Sequence, residues 1–312
     1  MTAKKRRRSS RSPIVILFTL ILVIIAGVYA ACDGLIDIPG VTPDETESNQ
    51  NGIADSVPVP DDGEVIFHFI DVGQGDAILI TTPDGNMLVD TSVKSARDQL
   101  VAYLDSVGVT ELEYLVLTHP DADHIGNADY IIENYDIKNI LLPDQAATSK
   151  TYERMLTAME NSSANVICPE PGYVFSLGAL QNTVIAPNKD YNDANEMSIV
   201  FKAVYGETSV MMTGDAEIKS EEDIVKLWSA ADLKCDILKV GHHGSTTSTT
   251  QEFLDAVDPD IAVISCGEGN TYGHPHDETL DKLAAKGVTV YRTDTQGTII
   301  FKTDGETFTL VQ

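Results

Sequence analysis

The segment THPDADHIGN, residues 118–127, is the part of the chain richest in residues that bind metal ions. Two histidines and two aspartates fall within six residues, directly after an apolar run. His119 and Asp121 are two positions apart and can point the same way, whereas the adjacent Asp123 and His124 cannot easily join them at one ion. The spacing therefore predicts two metal ions, each with two ligands from this loop. Two such ions can activate water and clamp a scissile phosphate or ester.

Other residues of the same types follow further predicted strands. Asp215 comes just after the apolar run VMMT, where a carboxylate could bridge two ions. His242 and His243 follow ILKV, and His274 and His276 lie in NTYGHPHDE after a third strand. Six of the seven histidines thus lie at strand ends. A polar turn without chemistry is the alternative for the first segment, but such a turn has no need of imidazoles gathered in this way.

These segments resemble the metallo-β-lactamase superfamily of metal hydrolases, and more closely the metallo-hydrolase domain of the ComEC competence proteins. The resemblance is carried by FIDVGQGDAILI, THPDADHIGN, MMTGD, LKVGHHGS, YGHP and YRTDTQGTI. It extends from about Val65 to the C-terminus, some four-fifths of the chain. The resemblance implies an αββα sandwich with the metal ions at one edge of its two sheets.

The resemblance also assigns ligands. His119 and Asp121 would hold one ion, Asp123 and His124 the other, and Asp215 would bridge them. His242 is expected to complete the second site, with His243 close behind it as the alternative ligand and as a catalytic candidate. Asp71, in DVGQGD, is expected to lie beneath the metal-binding loop and to orient its ligands.

Several residues are expected to act on the substrate. Asp123 or Asp215 could accept a proton, and His274 could steady developing negative charge or protonate the leaving group. Gly244 and Ser245, in HGSTT, offer backbone N–H and hydroxyl groups to a phosphate. The alternative for residues 245–247 is a helix N-cap before TQEFLDAV.

The chain departs from the superfamily pattern at two ligand positions. Most members have a histidine where this chain has Asp121, and the histidine of the third motif is missing, with Asn195 nearest to its place. A carboxylate ligand favours manganese or magnesium more than an all-histidine zinc site does. We therefore expect two divalent ions, manganese or zinc, with Asn195 near the first ion or the substrate.

The elements that must position these residues alternate between short apolar strands and amphipathic helices. Strands such as VIFHFI, AILIT and NMLVD are followed by a helical stretch over residues 95–107 and by the strand LEYLVLT. The second half repeats this style and closes with the hairpin formed by TIIFKT and FTLV. The pattern predicts a layered α/β fold, and the hydrolase domain is expected over residues 64–312.

The N-terminus predicts export and membrane attachment. Six basic residues within the first eleven precede an apolar run over residues 14–31, which at helical rise spans about 27 Å. Residues 1–31 are therefore expected to form a cytoplasmic basic tip and a signal-anchor, with the catalytic domain outside the cell membrane. Cleavage after Ala30 and lipidation of Cys32 are alternatives. Residues 32–63 contain eight acidic and no basic residues with several prolines, which is typical of a linker.

Net charge bears on the substrate. The formal charge of the chain is −27, and the 15 basic and 48 acidic residues after the basic tip leave −33 for the remainder. A metal-dependent phosphodiesterase or nuclease acting on DNA is the function that the resemblance favours. The acidic body disfavours a polyanion, so a small-ester, lactone or phosphocholine-type hydrolase is the second hypothesis. A non-catalytic exported binding protein is the third.

Overall fold

The computed structural model describes residues 57–312, from the end of the linker to the C-terminus. The predictions for the basic tip, the apolar run and most of the linker lie outside the described residues. Within residues 57–312, no helix has the length and apolar character that a membrane span requires.

An eight-stranded mixed sheet contains the first strands of the domain and the last two, in the order β15-β14-β1-β2-β3-β4-β5-β6. Its strands are β1 (Val65–Phe69), β2 (Ile78–Thr82), β3 (Gly85–Val89), β4 (Glu111–Val116), β5 (Asp136–Leu141), β6 (Asn165–Ile167), β14 (Ile299–Thr303) and β15 (Phe308–Leu310). Strands β3 to β6 run parallel to one another, whereas β2 pairs antiparallel with β3. The C-terminal hairpin predicted from sequence joins this sheet beside β1.

A seven-stranded sheet contains the rest, in the order β13-β12-β11-β10-β9-β8-β7. Its strands are β7 (Val174–Leu177), β8 (Leu180–Ala186), β9 (Val200–Tyr205), β10 (Thr208–Met212), β11 (Ile237–Lys239), β12 (Ile261–Ile264) and β13 (Thr289–Arg292). Strands β10 to β13 run parallel. The carboxyl ends of parallel strands share one edge of a sheet, and such edges hold the functional loops of α/β folds.

Nine helices lie between the strands in the described part of the chain. They are α1 (Arg97–Val107), α2 (Ala122–Ile125), α3 (Ala128–Asn134), α4 (Lys150–Asn161), α5 (Ile218–Leu227), α6 (Ala230–Leu233), α7 (Gln251–Val257), α8 (Asp277–Lys286) and α9 (Thr293–Gln296). The helix predicted over residues 95–107 is α1, preceded by a 3₁₀ turn over Lys94–Ala96.

Three apolar clusters show how the layers pack. The inward side chains of both sheets, including Phe67 and Phe201, form one buried cluster between them. A second cluster joins the outer face of the eight-stranded sheet to α1, α3 and α4 through residues such as Leu100. A third joins the outer face of the seven-stranded sheet to α5, α7 and α8 through residues such as Phe253. The alternation of side chains along each strand thus supplies two buried faces per sheet.

Candidate metal centre

Loops from both sheets meet at one edge of the sandwich. The loop after β4 carries residues 119–124 and folds into the short helix α2, where the N–H of His124 donates to the carbonyl of Asp121 at 3.0 Å. Asp215 follows β10, and residues 241–244 follow β11. The structure therefore brings together side chains that are far apart in sequence but that each follow the end of a strand.

The ligand side chains converge on the carboxylate of Asp215, whose side chain is 3% exposed. The Oδ2 atom of Asp215 lies 3.9 Å from Nε2 of His119, 3.3 Å from Nε2 of His124 and 3.6 Å from Nε2 of His243. Asp121 Oδ2 is 3.9 Å from Nε2 of His119, and Asp123 Oδ2 is 3.4 Å from Nε2 of His243. These are separations that atoms around shared cations adopt, since each metal–ligand bond is about 2.0–2.2 Å long.

Hydrogen bonds fix the tautomer of the two imidazoles in the loop. The hydroxyl of Thr118 donates its one proton to Asp90 at 2.7 Å, so it can only accept from Nδ1 of His119, 3.2 Å away. Asp90 also accepts from Nδ1 of His124 at 2.8 Å and from the backbone N–H of Thr118 at 2.8 Å. In both histidines the proton therefore sits on Nδ1, and the Nε2 lone pair faces Asp215.

His243, which follows a strand of the seven-stranded sheet, is also protonated on Nδ1. Its Nδ1 lies 2.9 Å from the carbonyl oxygen of Ser265, which can only accept, so Nδ1 carries the proton. Among residues 57–312, the Nε2 atoms of His119, His124 and His243 and Oδ1 of Asp215 are buried without a hydrogen-bond partner. Buried unpaired polar atoms cost free energy. Acceptor atoms that converge in this way fit divalent cations. Four groups of three residues have ligand atoms within 4.8 Å of one another; two of them are His119–His124–Asp215 and Asp123–His124–His243, and the other two include Asp76.

The pKa values of the loop histidines are consistent with a site for divalent cations. Burial lowers the pKa of His119 to about 3, so this imidazole is a neutral acceptor at pH 7. Burial also acts to lower the pKa of His124, but the charges of Asp215 and Asp90 outweigh it and raise that pKa well above its usual value. The two carboxylates therefore favour a positive charge at His124. A metal ion that binds there displaces the proton of the imidazole.

His243, and not His242, completes the second ligand group. Both residues have left-handed backbone conformations, with φ of 47° at His242 and 54° at His243. Nδ1 of His242 is 2.9 Å from Glu217 Oε1 and 3.1 Å from the hydroxyl of Thr247, at the solvent side of the centre. These ligand groups favour His243 over the sequence-based choice of His242, although Nε2 of His242 also lies near the centre, 3.8 Å from Asp215 Oδ2.

Asp71 does not reach the ligands, which corrects its predicted orienting role. Its carboxylate accepts the backbone N–H of Gly73 in its own loop at 3.1 Å. Asp90, which accepts from Nδ1 of His124, is the carboxylate that orients a ligand, and it was missed although it directly follows β3. Asp76 is a second carboxylate beside the ligands. Oδ1 of Asp76 lies 3.5 Å from Nδ1 of His243, and the Asp76 N–H donates to the carbonyl of Asp123 at 3.1 Å.

The residues expected to bind phosphate lie on the same loop, with their functional role still a prediction. A Cβ at Gly244 would lie 2.6 Å from Cβ of Pro275, so a larger residue would push this loop away from the one that carries His274. Ser245 is buried, and its hydroxyl accepts the N–H of Thr247 at 3.2 Å. The alternative of a helix cap at residues 245–247 is wrong, since α7 is capped by Thr250.

Asn195 and His274 border the centre from opposite loops. Nδ2 of Asn195 donates to Glu217 Oε1 at 3.4 Å, the atom that also holds His242. The ring of His274 lies 5.4 Å from that of His242 and 6.2 Å from that of His243. Burial, followed by the neighbouring imidazoles, lowers the pKa of His274 to about 4, so it is neutral at pH 7.

Comparison with known proteins agrees with this geometry. The family model described as "Metallo-beta-lactamase superfamily" matches residues 70–268. The chain belongs to the metallo-β-lactamase superfamily. Superfamily membership makes it a metal-dependent hydrolase by fold, and clusters of His and Asp that could hold metal ions are present.

Relatives within this superfamily are longer proteins. The chain is 33% identical over 260 residues to ComE operon protein 3 of Bacillus subtilis, covering 77% of this chain and 33% of that protein. It is 32% identical over 235 residues to competence protein ComA of Neisseria gonorrhoeae, covering 74% of this chain and 31% of that protein. The chain thus spans about a third of the length of the curated relatives that it matches.

Solved structures show the same fold at low identity. The metallo-β-lactamase fold protein YhfI from Bacillus subtilis superposes with a TM-score of 0.52 at 12% identity, covering 77% of this chain and 100% of that one. CmlA, a diiron β-hydroxylase from Streptomyces venezuelae, gives a TM-score of 0.50 at 13% identity, covering 76% and 53%. At this identity the comparison establishes the fold alone.

Proposed function

We propose that this chain is a dinuclear metal-dependent phosphodiesterase. The observation that carries the proposal is the convergence of three buried Nε2 lone pairs on Asp215. His119, Asp121 and Asp215 would hold the first ion, and Asp123, His124, His243 and Asp215 the second. Ions bound there would supply Lewis-acid polarisation of a phosphoryl oxygen and a more acidic water.

The remaining chemistry belongs to side chains at the mouth of the centre. Asp123, with 28% of its side chain exposed, is placed to accept a proton from the attacking water. His274, as a neutral imidazole, can donate an N–H to negative charge that develops on the phosphoryl group. Gly244 and Ser245 would line the approach to the centre, where the backbone N–H of Ser245 already donates to the carbonyl of His242 at 2.9 Å. In this proposal the side chains position the substrate or transfer protons, and the bond to phosphorus is made by water.

DNA is the phosphodiester that the names of the relatives favour, since they include a competence protein and recombination protein 2 of Haemophilus influenzae. One observation favours a second candidate, a small-ester or phosphocholine-type hydrolase. The charge of −33 after the basic tip repels a polyanion over most of the surface, and bound metal ions would neutralise only the centre.

The proposal is tested with the purified full-length chain and bis(p-nitrophenyl) phosphate, with manganese or zinc added after chelation. We expect metal-dependent hydrolysis in the wild type and none in Asp215→Ala, while Asp98→Asn, on the exposed face of α1, retains wild-type turnover. Hydrolysis of p-nitrophenyl acetate but of no phosphodiester would support the second candidate. Metal binding without either activity would leave the non-catalytic binding protein.

We further propose that residues 14–31 attach the chain to the cell membrane with the hydrolase domain outside. The support is the basic cluster followed by the apolar run. Protease added to intact cells should then degrade the domain, and the full-length chain should sediment with membranes after an alkaline wash. Recovery of the intact chain in the cytosolic fraction would contradict this placement.

A further inference from the structure

A buried ion pair crosses the sandwich beneath the candidate metal centre. Lys239, at the end of β11, is fully buried, and its Nζ lies 2.7 Å from Oδ2 of Asp76. Asp76 precedes β2 in the opposite sheet and is also fully buried. Nζ has one further partner, the carbonyl of Val240 at 3.1 Å. A buried lysine is costly unless it is paired, so this contact holds the two sheets together at one point.

Asp76 connects that ion pair to the ligand loops. Its Oδ1 lies 3.5 Å from Nδ1 of His243 and has no hydrogen-bond partner among residues 57–312. Its backbone N–H donates to the carbonyl of Asp123, and its own carbonyl accepts the N–H of Ser92 at 2.9 Å. Asp76 therefore touches the backbone or side chain of two residues assigned to the second ion, one from each sheet.

The charge of Asp76 depends on Lys239. The ammonium of Lys239 lies 2.7 Å from Oδ2 of this buried carboxylate and is the cation that pairs with it. Without the ammonium, a carboxylate in this position would be a buried unpaired charge, which is strongly destabilising. Lys239 thus allows Asp76 to remain ionised directly behind an imidazole of the centre.

We propose that Lys239 and Asp76 are positioning residues for the second metal ion: Lys239 fixes the carboxylate of Asp76, which in turn holds His243 and the loop of Asp123. The inference rests on the dinuclear centre proposed above. Neither residue touches the substrate. Carboxylates behind metal-binding histidines orient the ring and raise its basicity, and losing one weakens metal binding about 10–100-fold.

The decisive variant replaces both members, K239M/D76L, in the full-length chain. Exchanging a buried ion pair for apolar side chains is often neutral or stabilising, so the fold should survive. We expect two manganese ions in the wild type by titration calorimetry, and in the variant an affinity for one of them at least about tenfold lower, with the other ion unaffected. The electron paramagnetic resonance signal of a coupled manganese pair should fall in parallel.

Single variants and a matched control separate positioning from stability. K239M and D76N should each weaken the same ion, and their effects should not add, since the pair acts as one unit. Thr303→Val removes a buried cross-sheet hydrogen bond of 3.0 Å to Thr208. This control should lower stability yet leave both ions bound at wild-type affinity.

The outcomes distinguish this inference from the proposed function. Two ions of wild-type affinity in K239M/D76L would overturn the positioning role alone, because the pair would then serve only the packing of the sheets. Equal weakening of both ions would overturn it as well. A wild-type chain that binds no manganese or zinc would overturn the dinuclear centre itself.

Discussion

At the scale of single residues, the carboxylate of Asp215 lies at the centre of the site. Its Oδ2 has the Nε2 atoms of four histidines within 3.9 Å: His119, His124, His242 and His243. Its Oδ1 is buried and has no hydrogen-bond partner in residues 57–312. In the proposed centre, Asp215 would therefore be the ligand common to both ions.

The two neighbouring histidines after β11 should differ in metal binding. His243→Ala removes a buried lone pair aimed at Asp123 and Asp215, and we expect about one manganese ion per chain instead of about two. His242→Ala removes an imidazole that Glu217 holds at the solvent side, and it should retain both ions. The measurement is the manganese content per chain after gel filtration. Loss of one ion in His242→Ala but not in His243→Ala would make His242 the ligand.

Residue types and spacing predicted most of the cluster, but not the orientation of every member. His119, Asp121, Asp123, His124 and Asp215 were identified because each follows a strand end. The choice between His242 and His243 depends on two consecutive left-handed backbone conformations, which no local pattern reveals. Lys239 could have been noticed as a charge inside the otherwise apolar run ILKV, whereas its partner Asp76 precedes a strand and gives no such signal.

At the scale of elements, the loop over residues 70–77 packs directly against the metal-binding loop. Gly75 has φ of +125°, and a Cβ there would lie 2.3 Å from the carbonyl oxygen of Asp123. Both the conformation and the close approach exclude a side chain. The position of Asp123 thus depends on a glycine in a different loop, which links the GQGD and HPDADH segments physically.

Gly75→Ala should therefore reduce hydrolysis and metal affinity, because the Asp123 loop must move. The conformation alone costs about 1–3 kcal/mol. Gly108→Ala is the matched control: this glycine has φ of +79° and no heavy atom within 4 Å of a Cβ, so it carries the conformational cost without the clash. Equal activity in the two variants, measured at saturating manganese, would refute the role of the close approach.

A second element-level contact anchors the loop after the histidine pair. Glu221 on α5 accepts the N–H of Thr249 at 2.6 Å and that of Thr250 at 2.7 Å, just before α7. Burial raises the pKa of Glu221 to about 7. Because the folded-state pKa lies above the value of about 4.5 for an exposed glutamate, its contribution to stability is fully present below that pH and is lost as the pH rises through about 7.

The variant Glu221→Gln cannot titrate and should remove this dependence. The difference in free energy of unfolding between wild type and variant should shrink or change sign from pH 4.5 to pH 7.5, measured by urea unfolding with chelator present. A difference that stays constant across this range would show that the Glu221 pKa is not raised by folding.

Strands with alternating or continuous apolar runs were predicted well, and weaker segments were not. The predicted C-terminal hairpin appears as β14 and β15, and the helix expected over residues 95–107 is α1, with a 3₁₀ turn before it. Helix α4 and strands β6 to β8 were not identified from sequence. Strand β7 alternates exposed and buried residues over only four positions, and β6 has three residues, so neither gives a periodic signal of useful length.

At the scale of the whole molecule, bound metal ions would join loops that belong to opposite sheets. Ligand binding to the folded state stabilises it by about 2.7 kcal/mol when the free ion is 100-fold above its Kd. For a domain of this size we expect Tm to fall by roughly 5–10 °C on chelation of each such ion and to recover with manganese. Asp215→Ala should show no such shift, and an identical Tm for chelated and loaded wild type would count against metal binding.

The measurement that tests the central claim most directly is anomalous diffraction from crystals loaded with manganese, recorded above and below its absorption edge. We expect two anomalous peaks about 3.5–4 Å apart, one on each side of Asp215, with His119 beside one and His243 beside the other. Anomalous density confined to surface carboxylates, with none at Asp215, would contradict it.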